Sequence, residues 1–213
     1  ANHILGKGQL SLAKYLFIVA QEDDANLDVQ NEYDFFQHLF SRVDWSRDLH
    51  FQTKTTMDTL DYSSTGEINE GSKVVCAAVG EKKRELCNDL SNLLLDDGLK
   101  PHLVMPGVLV VESEDVESVK SKLEHLELEG IALITLVDDS AFVAEDISNW
   151  LWVTFTRSNP AEDIFGLEEE IQNKHWYCRI PIIDARVKPH HAPAMHMPDE
   201  IVQMAHQKIN NAL

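Results

Sequence analysis

The first run of consecutive apolar residues, in KYLFIVAQ over 14–21, is short, rich in Ile and Val, and closed by polar residues on both sides. That pattern predicts a buried strand. Downstream, Val29, Tyr33, Phe36, Leu39, Phe40 and Val43 recur at i, i+3, i+4 and i+7 in VQNEYDFFQHLFSRV, which predicts an amphipathic helix beginning after Asp28. LHFQT from Leu49 and VVCAAVG over 74–80 predict two more strands. EKKRELCNDLSNLLLDDG predicts a helix closed by Gly98 at its C′ position. A strand around 107–112, a helix in SEDVESVKSKLEHLELEG ended by Gly130, and a strand in IALITLV follow. Alternating elements of these lengths imply an α/β fold, layered, with a mostly parallel or mixed sheet.

Two stretches repeat the same order of features. YLFIVAQEDD with FFQHLFSRVDWSRD, and IALITLVDDS with WLWVTFTRSNPAED, each run from an apolar strand to an acidic pair, a helix, an Arg and an Asp. Asp24 to Arg42 and Asp139 to Arg157 span equal intervals, as do Arg42 to Asp48 and Arg157 to Asp163. The register predicts a duplicated strand–helix unit, with the 14–20 and 131–137 strands in equivalent places of one sheet. Three segments result: a first α/β unit over 1–73, an inserted or duplicated unit over 74–186, and a proline-rich arm with a C-terminal helix over 187–213. Along that helix Ile201, Val202, Ala205, Ile209 and Leu213 form an apolar stripe. The stripe is expected to dock on another protomer or domain.

Charge narrows the partners. With a net charge of −18 and no cluster of basic residues, the chain is expected to bind no nucleic acid and to avoid anionic membranes. No apolar run approaches the ~20 residues of a membrane span, nothing looks like a secretory signal, and a cytoplasmic location is expected. Cys76, Cys87 and Cys178 lack CxxC spacing, which points to reduced thiols.

Few side chains carry an obvious chemistry. Lys7 between Gly6 and Gly8 could let backbone and ammonium approach a phosphate, although GKG lacks P-loop spacing and a solvated turn competes with that reading. His190, His191 and His196 have no ligand spacing for a metal, so they are expected to hydrogen-bond to a neighbouring surface, and no metal site is expected. The acids Glu22, Asp23, Asp24, Asp138 and Asp139 stand where open α/β sheets place ligands, or where helices take their caps. No self-sufficient catalytic motif is present, and no catalytic residue is assigned.

GKGQLSLAKYLFIVAQEDDANLDV, FSRVDWSRDLHF, TTMDTLDYSS and GSK, in that order, resemble the C-terminal domain of the UbiD decarboxylases. Comparable motifs there are a glycine-rich turn before an apolar strand and acids, TRxxPxRD, and TPxDxLD. IDARVKPHHAPAMHMPDE resembles the tail of larger bacterial members. The likeness covers Gly6 to about Lys73 and Trp150 to the end, whereas 74–149 looks like an insertion. It implies a reversible, non-oxidative carboxy-lyase acting on an aromatic or α,β-unsaturated acid, such as a 4-hydroxybenzoate in ubiquinone or menaquinone biosynthesis. The cofactors it implies are prenylated FMN, a divalent metal (Mn or Mg) and K, held mostly by a separate N-terminal flavin-binding domain of the same polypeptide. The present chain would then be a lid and homo-oligomerisation domain, inactive alone. Carried over residue by residue, Lys7 with Gly6 and Gly8 would reach the flavin phosphate, Ser11 and Ala13 would face the small aromatic acid substrate, and Met57, Thr59 and Leu60 would close its pocket. A stand-alone α/β regulatory or scaffolding module without catalysis competes with this reading.

Overall fold

A computed structural model describes residues 1–193 and 197–210. Three sheets organise it. In the first, β1 (Tyr15–Val19) pairs in parallel with β3 (Glu70–Ala78), which also pairs antiparallel with β2 (Leu49–Thr56). The second holds β4 (His102–Met105), β5 (Val108–Glu112), β6 (Leu133–Val137), β10 (Ile180–Asp184) and β7 (Ile164–Leu167) in that spatial order. Its three middle strands are parallel and its two edges antiparallel. A small hairpin, β8 (Glu170–Gln172) with β9 (His175–Tyr177), completes the set. The fold is α/β with mixed sheets.

Helices α1 (Asn2–Leu5), α2 (Glu32–Arg42), α3 (Val116–Leu123), α4 (Ser140–Glu145), α5 (Ile147–Arg157), α6 (Pro160–Asp163) and α7 (Asp199–Asn210) complete the main elements. None is long and apolar enough to cross a membrane.

The repeat is real, but it is built as two sheets rather than as one. Strand β1, helix α2, strand β2 and strand β3 give the spatial order β1-β3-β2; β6, α5, β7 and β10 give β6-β10-β7, with the same parallel and antiparallel pairings. Asp48 and Asp163 enter β2 and β7 alike, each accepting a backbone N–H from four residues earlier, Asp44 at 2.9 Å and Asn159 at 2.6 Å. The units clasp each other reciprocally. Lys14, just before β1, donates to the carbonyl of Ser158 in the turn after α5 (2.9 Å), and Trp45, in the turn after α2, donates to the carbonyl of Ala132 just before β6 (2.9 Å). Because β3 completes the first sheet, the first unit runs past the expected boundary at residue 73 to Ala78.

Burial follows strand alternation. Val108, Val110, Leu133 and Val137 join Phe36, Leu39, Phe40, Val74, Cys76 and Trp150 in a core shared by both units. Leu109, Val111, Ile134 and Leu136 face a second core under α3. Thus β5 and β6 are covered on both faces, which explains their nearly continuous apolar sequence.

Three local expectations need correction. Helix α2 starts at Glu32 under an Asn31 cap, so Val29 and Tyr33 stay exposed while Phe36, Leu39, Phe40 and Val43 are buried. Segment 81–98 is no helix but extended chain with two 3-10 turns, Leu90–Asn92 and Asp97–Leu99, and Gly98 lies within the second. Its backbone is committed elsewhere: Lys83 N–H donates to Ser41 O (2.7 Å), Cys87 N–H to Gly130 O (3.0 Å), and Cys87 O accepts from Gly107 N–H (2.8 Å). Helix α3 ends at Leu123, well before Gly130. Gly130 has φ +76, and a Cβ there would meet the Cys87 nitrogen at 2.5 Å, so this glycine admits the crossing chain.

Candidate functional site

The opening loop presents Lys7 as the residue before a 3-10 turn (Gly8–Leu12), exposed and without a side-chain partner among the described residues. Gly8 has φ +58 with open space around it, and a Cβ on Gly6 would come within 2.9 Å of the Asn2 carbonyl. Ser11 Oγ donates to Gly8 O at 2.7 Å, and Ala13 ends the turn. Met57 is buried, its side chain against Gly71. Thr59 and Leu60 are exposed, Leu60 by 78%. No hydrogen bond joins Lys7 to the 57–60 loop among the described residues.

Lys14 supplies that junction instead. Its buried ammonium lies 2.7 Å from Asp61 and donates to Ser63 Oγ (2.8 Å) as well as to Ser158 O. Burial pulls its pKa down, opposed by the Asp61 contact. Beside it Lys188 Nζ pairs with Asp163 (3.2 Å) and donates to Asp184 O (2.8 Å). Desolvation holds the Asp163 carboxyl above its usual range. Tyr15 Oη and Ser158 Oγ stand 2.6 Å apart. The knot ties β1, the 57–63 loop, the end of α5 and the arm together. Of its members, Asp163 stands out in the sequence, at the end of the repeated pattern and not for this role, and the Lys14–Asp61 contact joins residues too far apart in the chain to leave a local signature.

The arm docks where the knot is. His190 Nε2 lies 3.2 Å from Ser63 O, and His191 Nδ1 accepts from Lys188 N–H at 3.2 Å. These two histidines therefore do meet neighbouring groups, whereas His196 lies outside the described residues. His191 borders a groove of about 720 Å³ formed by Leu60, Tyr62, Trp152, Phe155 and Val187. Trp152 is 70% exposed, a large apolar surface left facing outward. Helix α7 is exposed along its whole length, including Ile201, Val202, Ala205 and Ile209, while Leu213 lies outside the described residues.

Burial, with Lys188, His190, Arg157 and Lys14 nearby, lowers the His191 pKa from 6.5 to about 4. A histidine depressed on folding binds its proton more readily in the released arm. Acidification from about pH 6.5 to pH 4 should therefore loosen residues 187–193, with no further loss from this group below that window. Limited proteolysis of the arm against pH, beside a His191→Phe variant lacking the dependence, measures it; equal cleavage at pH 7 and pH 4.5 would contradict it.

No group of three or more His, Cys, Asp or Glu that could hold a metal occurs among the described residues. The Cys76 and Cys178 thiols are pushed up by burial, so neither is poised as a thiolate. Asp139 caps α4 through Phe142 N–H (2.9 Å), and Asp24 accepts from Asn26 N–H (3.0 Å). Capping explains Asp139. The described residues thus offer a loop, a groove and an exposed helix rather than an assembled acid–base pair.

Residues 1–78 match the family model for the 3-octaprenyl-4-hydroxybenzoate carboxy-lyase C-terminal domain, ending where β3 ends. A Chlamydia pneumoniae protein named as a subunit of 4-hydroxybenzoate decarboxylase is 32% identical over 197 residues, covering 89% of this chain and 32% of its own length. An uncharacterised Chlamydia trachomatis protein is 32% identical over 191 residues, covering 89% of this chain and 32% of its own. The chain spans about a third of the length of these curated relatives. Among solved structures, the open form of Sedimentibacter hydroxybenzoicus vanillic acid decarboxylase aligns over 76% of this chain and 44% of its own, at 14% identity and a TM-score of 0.37.

Proposed function

We propose that this chain, which belongs to the UbiD family through the C-terminal domain begun by residues 1–78, is the lid and oligomerisation domain of a prenylated-FMN-dependent decarboxylase. The observation that carries the reading is the family match, which falls on the first sheet and its opening loop. The substrate class is an aromatic or α,β-unsaturated carboxylic acid, of the 4-hydroxybenzoate type used in quinone biosynthesis. The parent is a carboxy-lyase, and the flavin, a divalent metal (Mn or Mg) and K sit mainly on an N-terminal domain of the same polypeptide. When bound, the modified flavin supplies the electron sink for the departing carboxylate.

The residues of this chain have binding and positioning tasks. Lys7 fits a phosphate presented from outside the chain, because its ammonium is exposed, unpartnered among the described residues, and flanked by a glycine at φ +58. Ser11, Ala13 and the 57–60 loop shape the approach, and the Lys14–Asp61 pair fixes the loop's far end. Closing these segments over a neighbouring domain excludes water from the reacting acid. The exposed α7 stripe docks on a second copy in the homo-oligomer.

Lys7 provides the test. Loss of one charge-assisted hydrogen bond, worth about 1.5–3 kcal/mol, should weaken FMN binding by the full-length Lys7→Ala protein roughly ten- to a hundred-fold. Lys7→Arg should recover part of it, since a planar fork replaces a point charge. Unchanged affinity and turnover in Lys7→Ala would return Lys7 to a solvated turn.

A further inference from the structure

The two copies of the repeated unit differ in what joins their last two strands. In the first, residues 57–69 run from β2 to β3; in the second, the β8–β9 hairpin takes the matching place between β7 and β10. Between that hairpin, the edge strand β2 and the passage from α6 into β7 lies a cavity of about 540 Å³, within the size range of small-molecule sites.

Its wall runs against the charge of the chain. The protein carries a net charge of −18, yet Lys174 and His50 line the cavity and no carboxylate does. The acids next to it in sequence are turned to other partners: Glu162 accepts from Thr65 Oγ1 at 3.2 Å, Asp163 pairs with Lys188 at 3.2 Å, and Glu170 accepts from Tyr177 Oη at 2.7 Å. Lys174 and His50 are exposed, and neither side chain has a hydrogen-bond or ion-pair partner among the described residues, so a ligand reaches both. Thr53, exposed on the same strand edge, adds a hydroxyl.

The remainder of the wall is apolar and aromatic. Trp176 stands edge-on to Phe51 with ring centroids 5.4 Å apart, and Ile171 is left 75% exposed beside them. The His175 ring is fixed by donating from Nε2 to Ser46 O at 3.1 Å, and its centroid lies 5.7 Å from that of His50. The hairpin turn itself is shaped around the lysine. Asn173 and Lys174 form its two-residue loop with φ +52 and +66, a geometry in which the second position favours glycine. A lysine there accepts an unfavourable backbone and sets an ammonium in the cavity wall.

We propose that this cavity binds a small aromatic carboxylate, its ring against Trp176, Phe51 and Ile171 and its carboxylate on Lys174, with His50 and Thr53 as further donors. One ammonium and no arginine match a single negative charge, and an imidazole carries an N–H in either protonation state. The ring covers apolar surface that water otherwise wets. The site shares no residue with the Lys7 loop or with the groove at Leu60, and it stands whether or not the flavin reading does.

Benzoate is the probe, added to the full-length polypeptide without flavin. Acylation of lysines by a succinimidyl ester, read peptide by peptide by mass spectrometry, should slow at Lys174 along one saturable curve. Lys54, exposed on β2 but outside this wall, should keep its rate. Benzamide, which has the ring without the charge, and acetate, which has the charge without the ring, should each need about tenfold more for equal protection. Benzoate should likewise protect His50 from diethylpyrocarbonate, and Lys174→Gly should shift that protection to about tenfold higher benzoate, since glycine suits the turn and only the ammonium is lost. Lys174→Gln serves if the glycine variant does not fold. Rates at Lys174 and His50 that ignore benzoate, or equal protection by acetate or benzamide, would overturn the proposal. So would a Lys174→Gly protein whose His50 is protected like the parent's, or a Lys174 that does not react in the full-length protein because another domain covers it.

Discussion

Replacing Trp150 by alanine should cost about 3–5 kcal/mol of stability, the largest effect expected from one side chain in this protein. The indole is fully buried at the meeting of the two repeated units. It packs edge-on against Phe36 at 5.2 Å and Phe155 at 5.3 Å, and donates from Nε1 to Thr135 Oγ1 at 3.1 Å. Truncation opens a cavity between α2, α5 and β6, and strips the buried Thr135 hydroxyl of its donor. Trp150→Phe keeps much of the volume and loses the hydrogen bond, so it should cost clearly less. Urea unfolding followed by circular dichroism gives both values; an alanine variant within ~1 kcal/mol of the parent would mean that the units do not share this core.

Lys14→Met should cost about 3 kcal/mol, by leaving Asp61 without its cation in a mostly buried place. Pairing it with Asp61→Leu removes the stranded charge and should restore much of the loss. Such a recovery separates the two causes: the penalty comes from the orphaned carboxylate, not from a large net gain in the original pair. A second readout is local. In Lys14→Met the 57–63 loop should exchange its amide protons faster than the rest of the first sheet. If the double variant is as unstable as the single one, the Lys14–Asp61 contact is not what holds the loop.

How much of this can be read in the chain depends on where each signal is carried. The strands at 15–19, 74–78, 108–112 and 133–137 announce themselves because apolar runs bounded by polar residues need no distant partner to be recognised. The repeat is legible for the same reason: intervals between Asp and Arg are written in one dimension. That its copies form separate sheets is not, since spacing is silent on which strand pairs with which. Segment 81–98 misleads because Leu86, Leu90 and Leu93 fall at helical intervals. Yet its backbone bonds run to Ser41, Gly107 and Gly130, choices made by tertiary contacts. The candidate site divides along the same line. Lys7 stands in a local glycine turn and is visible there, whereas Lys14 matters through Asp61, Ser63 and Ser158 and Lys188 through Asp163, groups far along the chain that leave no pattern to find.

In the function proposed above, this domain serves a decarboxylase whose cofactor and acid–base machinery lie mainly outside it. Carbon dioxide release from a panel of cinnamic and hydroxybenzoic acids tests it most directly. The panel should be offered with prenylated FMN, divalent metal and K to the full-length polypeptide, and separately to residues 1–213. Turnover is expected from the full-length protein, and none above background from the 213-residue chain. Turnover by the isolated chain, or a flavin-loaded full-length protein that decarboxylates nothing in the panel, would contradict it.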